Sequence, residues 1–529
     1  MATLTRPPGA GPGLGGAARH SVANLAGVGL TALAAFGLNV VVTRVWSPAA
    51  AGLFFVVTSL FLLLLAVVGL GSGTGVVYFV SRYVALHRPE RVRPVLAVGL
   101  GPVLGLGAVC CAAGWVLAPR LVGLLPGLPA GVAAGDVVLA VRVLLPFLPL
   151  AAAADFALAA CRGLGAMRPL LLVERLGRSA LQVAAVLLVA AGGWAATAAL
   201  PLAWVAPYLP AAAAALLWLR ALVARLGRAT AGGGGDWRAE WRPFWAYTGP
   251  RALATVLQVA LQRIDIVLLG ALRGLGDAAV YTAATRFLVL GQLAGQALST
   301  SVQHRLAAHL ARGERAAAGE LYRVATGWLV LLAWPVYLGC AWLAGPMLRL
   351  FGPGYGDGRA VTVLLALAML VATGCGMVDA VLMMAGRTSW TLYNALAAGA
   401  VNVSGNLLWI PPYGLLGAAV AWVLAILINN LVPLVQLRAA LGLHPFGRET
   451  LAAAGLALAC FGVPPLLATL AGAGGPAGVA AALAAGAALY GAGVWRLRRV
   501  LRLDALRALR RGGRQSDTGQ SVESPAADR

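Results

Sequence analysis

Lysine is absent from this sequence, and acidic residues are few. Charged types make up only 11% of the 529 residues, apolar types make up 60%, and the mean hydropathy is +0.86. Soluble domains carry about 25% charged residues. A chain this poor in charge cannot cover its own surface with polar groups, so lipid must be the solvent for much of it. That excludes a soluble catalytic domain as the body of the protein. Histidine is scarce too, at five residues, and the six cysteines form no CxxC pair. Cys110 and Cys111 are adjacent, while Cys161, Cys340, Cys375 and Cys460 lie in apolar stretches. With so few ligands no metal site or disulfide framework is expected, and the cysteines read as small buried hydrophobes. A cleavable signal peptide is not expected, because the apolar run after the Gly/Pro-rich first 20 residues is too long for one.

What the chain does have is arginine and long apolar runs. All 40 basic residues are Arg, against 17 acidic ones, giving a net charge of +23. With so much Ala and Gly, the preference for Arg over Lys reads as the codon usage of a GC-rich genome. A membrane span needs roughly 20 mainly apolar residues. Fourteen stretches qualify, near 22–43, 52–80, 95–118, 137–160, 170–192, 197–219, 244–270, 279–303, 324–346, 360–384, 391–410, 414–437, 450–470 and 475–495. With the N-terminus inside, 31 Arg fall in cytoplasmic segments and four in outside loops, namely Arg120, Arg273, Arg349 and Arg359. Cytoplasmic loops are enriched in basic residues, so the bias predicts a multi-pass protein with both termini cytoplasmic. It also accounts for the basic charge without nucleic acid.

The expected organisation is an all-α polytopic membrane protein of about 14 transmembrane helices. Residues 1–21 form an N-tail, 22–220 an N-lobe of six spans, 221–243 a cytoplasmic linker, 244–437 a C-lobe of six spans, 450–495 two further spans and 496–529 a basic tail. Gly232–Gly235 mark the linker as flexible. Patterns recur between the lobes at offsets of about 223–228: Gly71–Thr74 against Ser299–Ser301, and Gly163–Arg168 against Gly386–Arg387. Two parallel six-helix halves are a transporter signature. Leu497, Val500, Leu503, Leu506 and Leu509, with Arg between them, read as a basic amphipathic helix on anionic lipid.

Three motifs carry a family resemblance. Thr43-Arg44-Val45-Trp46-Ser47-Pro48 through Gly52-Leu53-Phe54 is similar to the pattern R-x-L-G-P-x-x-Y-G-L-F, with Trp46 and Ser47 in place of Leu-Gly and Ala51 in place of Tyr. Arg263-Ile264-Asp265 through Gly270, then Val280-Tyr281 through Arg286, is similar to D-x-x-x-L-G followed by G-x-Y-x-x-A-x-R. Gly386, Asn394, Asn402 and Asn406, then Ile410-Pro411-Pro412-Tyr413-Gly414 through Gly417, is similar to a G, N, N series followed by I-P-x-Y-G-x-x-G-A-A. Together these resemble the Wzx-type polysaccharide flippases of the MOP exporter superfamily, over roughly residues 22–440.

The resemblance implies a flippase in the bacterial plasma (inner) membrane. It would move undecaprenyl-pyrophosphate-linked oligosaccharide to the outer leaflet for cell-surface polysaccharide assembly, by alternating access and without making or breaking a bond. Membrane lipids, a glycan polymerase and glycosyltransferases are the implied partners. No cofactor is implied beyond H⁺ or Na⁺ coupling. Lipid II flippases and multidrug or cation antiporters of the same superfamily stay open as alternatives, although the antiporters usually have twelve spans. A membrane glycan polymerase or ligase usually carries a large outside loop, and here no loop between spans exceeds about 25 residues.

A pyrophosphate head and a sugar chain need a wet, cationic cavity. Arg suits it because the planar fork binds two oxygens and stays charged, and charges within spans are functional candidates. Arg44, Arg142, Arg251, Arg263 and Arg286 qualify as substrate ligands; snorkelling to the headgroups is the simpler reading of the first three. Asn394, Asn402 and Asn406, spaced eight and four apart, share a helix face that could bind sugar or bond to other helices. Asp265, Asp155 and Asp379 are candidate ion-coupling residues, with a structural pairing to Arg as the alternative. Residues 263 and 265 point about 200° apart around a helix, so a mutual salt bridge is not expected.

Overall fold

The computed structural model describes residues 14–123, 133–194, 197–227 and 236–504, and among them there is no β-strand. The helices follow the fourteen apolar stretches. They are α1 (Leu14–Val45), α2 (Pro48–Gly69 continued by Ser72–Ala85), α3 (Val92–Gly123), α4 (Ala134–Leu144 and Phe147–Gly163), α5 (a π-helical start at Leu170–Arg178, then Ser179–Ala191) and α6 (Ala199–Val205 and Tyr208–Gly227). A second set comprises α7 (Trp237–Leu272), α8 (Leu275–Arg286 and Leu288–Ala311), α9 (Arg315–Trp342), α10 (Arg359–Gly374 and Val378–Met384), α11 (388–413) and α12 (Leu415–Leu441). Last come α13 (Arg448–Ala473) and α14 (Pro476–Arg496).

Ten of these helices are long and apolar enough to cross a membrane. The other four are α1, which over Gly29–Val45 is apolar but shorter, and α5, α8 and α11, which carry the buried polar groups Gln182, Thr282 and Asn402. Polar side chains lower the hydropathy of a helix that faces a cavity or another helix instead of lipid.

Local chemistry sets the boundaries. Ser47 caps α2, its hydroxyl accepting the Ala50 N–H at 3.3 Å with Pro48 at the first helical position. Asp236 caps α7 by accepting the Arg238 N–H at 2.9 Å. The Ile410–Gly417 motif is the α11–α12 turn. Gly414 takes φ 54°, which L side chains rarely adopt, and a Cβ on Gly417 would lie 2.0 Å from the Trp409 carbonyl oxygen.

Helices reach further into the expected tails and linker than the sequence indicated. In the 221–243 segment, α6 runs on to Gly227, with Leu222, Val223 and Leu226 packed on the core, and α7 begins at Trp237. Edge-on and tilted contacts among Trp237, Trp241 and Trp245 at four-residue spacing support α7 there, with ring centroids 6.5 and 6.0 Å apart. The Gly232–Gly235 run lies outside the described residues, as do residues 1–13 and 505–529, including Leu506 and Leu509. Over Leu497–Asp504 the amphipathic-helix expectation does not hold. The chain turns there, with Leu501 fully buried, its carbonyl accepting the Trp328 Nε1–H at 2.9 Å, and Arg502 paired with Glu449 at 3.2 Å and with Glu320. Docking on α9 and α13 gives these side chains protein partners in place of lipid.

The largest core cluster joins the two sets of six helices. Val42 of α1, Phe54 and Phe55 of α2, Ile266 and Leu269 of α7, and Tyr281 of α8 are all buried in it. At the end bearing the Arg-rich loops, Tyr83 of α2 donates to Glu240 of α7 at 2.5 Å, and Arg91 pairs with the same carboxylate at 3.4 Å. Burial, together with that hydrogen bond to the neighbouring Glu240 carboxylate, holds the Tyr83 phenol above its ordinary range.

Candidate functional site

Three cavities with arginines in their walls lie between the helices, two at mid-helix depth and one at the Arg-rich end. The first, about 230 Å³, is bounded by α1, α2, α5, α6, α7 and α8. Arg178, Arg263 and Arg286 line it, with Asn39, Gln182 and Thr58 among the neutral groups, and no carboxylate lines it among the described residues.

Arg178 is fully braced. Its Nε donates to Glu174 at 2.9 Å, Nη2 bonds the same carboxylate, Nη1 donates to Gln182 Oε1 at 2.9 Å, and the guanidinium sits 4.7 Å from the Tyr208 ring centroid. Gln182 is itself held by donating to the Trp204 carbonyl at 2.9 Å. Glu174 therefore neutralises Arg178. Arg263 and Arg286 take part in none of the ion pairs among the described residues, and the Arg286 Nε is buried with no hydrogen-bond partner. Two guanidiniums thus face the cavity without a carboxylate partner.

Asp265, two residues from Arg263, forms no ion pair with it among the described residues, but lies near enough for its charge to act on both Arg263 and Arg286. Its carboxylate accepts the Tyr281 hydroxyl at 2.5 Å and the Ile266 N–H at 3.2 Å, and it is buried. Asp155 lies on the wall of a second cavity of about 420 Å³ with Arg162, Arg263 and Gln262, and forms no ion pair among the described residues. Arg162 also borders a third cavity of about 620 Å³, with Arg82, Tyr78 and Tyr247, at the Arg-rich end. A series of arginines therefore leads from that end to mid-depth: Arg82, Arg162, Arg263, then Arg178 and Arg286. Asp379 is half-buried in the first turn of its helix and bonded to the Asn429 amide.

The other sequence candidates lie elsewhere. Arg44 is exposed at the end of α1 and donates to the carbonyls of Leu350 at 2.7 Å and Arg349 at 2.8 Å. Arg142 donates to the Trp115 carbonyl at 3.2 Å and sits over that indole. Arg251 is exposed, 3.9 Å from the Tyr247 ring centroid. These three do not line the arginine cavity; Arg44 ends α1, Arg142 is in the last turn before the break in α4, and Arg251 is in the first half of α7, each engaged by backbone carbonyls or an aromatic ring. Asn394, Asn402 and Asn406 do share one face, but the face is buried against protein and does not line the cavities. Asn394 and Gln436 of α12 exchange hydrogen bonds at 2.8 and 3.0 Å, and Asn406 donates to Asn402. The sugar-facing assignment of these three amides is not what the geometry gives.

Sequence reasoning missed Arg162 and Arg178, counting both with the cytoplasmic segments although Arg178 falls at the start of the stretch near 170–192. Arg178 lies nine residues into α5, because the helix starts with the π-helical turns over Leu170–Arg178. The i,i+4 pair Glu174–Arg178 was the available signal.

An all-helical, multi-pass membrane protein with an arginine-lined cavity between two helix sets is the class these observations define. Residues 250–408 match the MatE family model. Two solved structures share the fold over most of the chain. One is an inward-facing multidrug resistance MATE family transporter of the MOP superfamily, with 16% identity, a TM-score of 0.63, and 78% of this chain and 94% of that chain covered. The other is the lipid II flippase MurJ in an inward closed conformation, with 13% identity, a TM-score of 0.67, and 89% and 99% coverage. A MOP superfamily transporter from Pyrococcus furiosus, noted for reversed polarity of its binding pocket, matches at 18% identity and a TM-score of 0.54, over 80% of this chain and 95% of that one. No curated protein matches the sequence.

Proposed function

We propose that this protein is a flippase for undecaprenyl-pyrophosphate-linked oligosaccharide, carrying it by alternating access from the cytoplasmic to the outer leaflet of the bacterial plasma membrane. The observation that carries the reading is the pair Arg263 and Arg286, without an ion-pair partner among the described residues and facing a membrane cavity whose described lining holds no carboxylate. Intramembrane charge is costly and persists where a ligand compensates it. A pyrophosphate supplies that compensation, and bidentate guanidinium contacts suit its oxygens. An organic-cation antiporter is disfavoured by the same charge. Lipid II carries the same pyrophosphate, so it remains the second reading, favoured by the fold likeness to MurJ. Export assays with purified protein in proteoliposomes separate the two: a peptide-free oligosaccharide on undecaprenyl pyrophosphate and lipid II are offered in parallel, and faster movement of lipid II would overturn the oligosaccharide assignment. Glycan polymerase and glycosyltransferases are the partners this function would take.

The Arg-rich end is read as cytoplasmic. Single-cysteine labelling in a cysteine-free background is expected to modify position 236 only from the inside; modification by an impermeant reagent from outside would reverse the topology.

Asp265 is the candidate for coupling to H⁺ or Na⁺. It is buried beside the cavity, held by Tyr281 and not by an arginine. Protonation or cation binding there would bias the two states that alternating access requires. Wild-type transport is expected to respond to an imposed proton or Na⁺ gradient, and Asp265→Asn to lose that response while keeping gradient-free exchange. A full response in the variant would remove Asp265 as the coupling site, leaving Asp155 and Asp379 to be tested in the same way.

A further inference from the structure

A fourth cavity, about 340 Å³, opens among α7, α8, α9, α10 and α12 and has a different chemistry. No charged side chain lines it among the described residues. Its polar groups are amides: Gln258 and Gln262 on α7, Gln292 and Gln296 on α8, Asn429 and Asn430 on α12. The volume falls within the roughly 300–1,000 Å³ of small-molecule sites.

Several of these groups lack protein partners. Gln258, Gln262 and Gln292 form no hydrogen bond among the described residues, and the fully buried Tyr337 hydroxyl on the cavity wall has none either. Asn430 spends one donor on the Ile426 carbonyl at 2.8 Å, and Asn429 is hydrogen-bonded to Asp379, which is itself outside the lining. An anion would find no cation here, and an organic cation no carboxylate. A hydrocarbon chain would leave a buried hydroxyl and three amides unsatisfied, each at a real cost. Side-chain amides both donate and accept, as sugar hydroxyls do, and Trp422 adds an aromatic surface to the same wall for the C–H face of a pyranose.

The geometry points to this cavity as a binding subsite for uncharged sugar residues of the glycan. Gln262 borders both this cavity and the one lined by Arg263, its neighbour in sequence. Successive residues of a helix point about 100° apart, so α7 presents a cation to one side and an amide to the other. The subsite rests on the flippase reading: with pyrophosphate at Arg263, the first sugars reach past Gln262 into the amide cavity. The chemical class it selects is neutral hexose or N-acetylhexosamine units; uronic acids gain no counter-charge there.

The test uses the full-length protein in nanodiscs and a thermal-shift readout. The probes are neutral trisaccharides of glucose, galactose and N-acetylglucosamine, trigalacturonate, and undecaprenyl pyrophosphate without sugar. At least one neutral trisaccharide is expected to stabilise wild type and trigalacturonate to do so far less. Gln258→Leu with Gln292→Leu is expected to weaken the sugar by about tenfold and leave sugar-free undecaprenyl pyrophosphate unchanged. Gln292→Ala, a milder change, covers the case of a misfolded double variant and should weaken the sugar several-fold. Arg263→Gln should do the opposite, losing the pyrophosphate and keeping the sugar. No sugar-dependent shift in wild type, an equal shift with trigalacturonate, or full sugar binding in the glutamine variants would overturn the subsite. Failure of undecaprenyl pyrophosphate to bind wild type would instead sink the flippase reading, and the sugar arm would still decide the subsite by itself.

Discussion

Replacing Arg286 with Gln is expected to reduce glycan export at least tenfold while protein abundance and melting temperature stay at or above wild type. A hydrogen bond to a charged group is worth about 1.5–3 kcal/mol, so losing one guanidinium contact to pyrophosphate costs roughly ten- to 150-fold in binding. Nothing in the fold depends on that guanidinium. Among the described residues its Nε is buried without a partner, and it belongs to no ion pair. Removing it also relieves the repulsion with Arg263 on the same cavity wall. Arg286→Lys keeps the charge without the fork and should fall between. Arg178→Gln supplies the contrast. It leaves Glu174 partly buried and uncompensated, a change that costs about 3–5 kcal/mol in a buried pair and less at this exposure, so abundance should fall with activity. If Arg286→Gln lowers abundance as Arg178→Gln does, and export per molecule is unchanged, Arg286 is structural.

The difference between these two arginines also shows what the sequence could convey. Arg263 and Arg286 stand out because each interrupts an apolar run, and a charge there demands an explanation. Arg178 does not, since Glu174, Arg175 and Arg178 together look like the charged cytoplasmic end of the stretch near 170–192; the structure instead turns Arg178 onto a cavity from the π-helical start of α5. The helix count and the long apolar rods were legible from hydropathy alone. The partner of each polar face was not. Spacing put Asn394, Asn402 and Asn406 on one face, yet only the packed structure reveals Gln436 opposite. The glutamines of the amide cavity carry no charge and drew no notice, although the pairs 258/262 and 292/296 each sit at four-residue spacing on separate helices. Two such pairs in neighbouring spans were the signal of a polar wall.

Gly52→Val is expected to abolish transport and to open the cavity toward the outside. Three contacts close the end opposite the Arg-rich loops. Gly52 of α2 lies against α8, where a Cβ would stand 1.7 Å from the Leu275 carbonyl oxygen. Phe36 of α1 packs on Phe287 and Phe351 with centroids 5.5 and 5.7 Å away. Arg44 ties the end of α1 to the Leu350 and Arg349 carbonyls. The added Cβ falls roughly 1.5 Å short of ordinary C···O contact, and a backbone carbonyl cannot rotate away as a side chain would. The closed arrangement is therefore unavailable to the variant. A state with α2 and α8 parted at this end has no such clash, so the chain still folds while the population shifts. A cysteine at Asn39, on the arginine cavity, reports the shift in a cysteine-free background. In wild type an impermeant thiol reagent should reach it mainly from the cytoplasmic side, and in Gly52→Val from outside. Arg44→Gln should move the labelling in the same direction by less, because it removes two hydrogen bonds and adds no bulk. Unchanged labelling with intact transport in Gly52→Val would mean that this end does not part during the cycle.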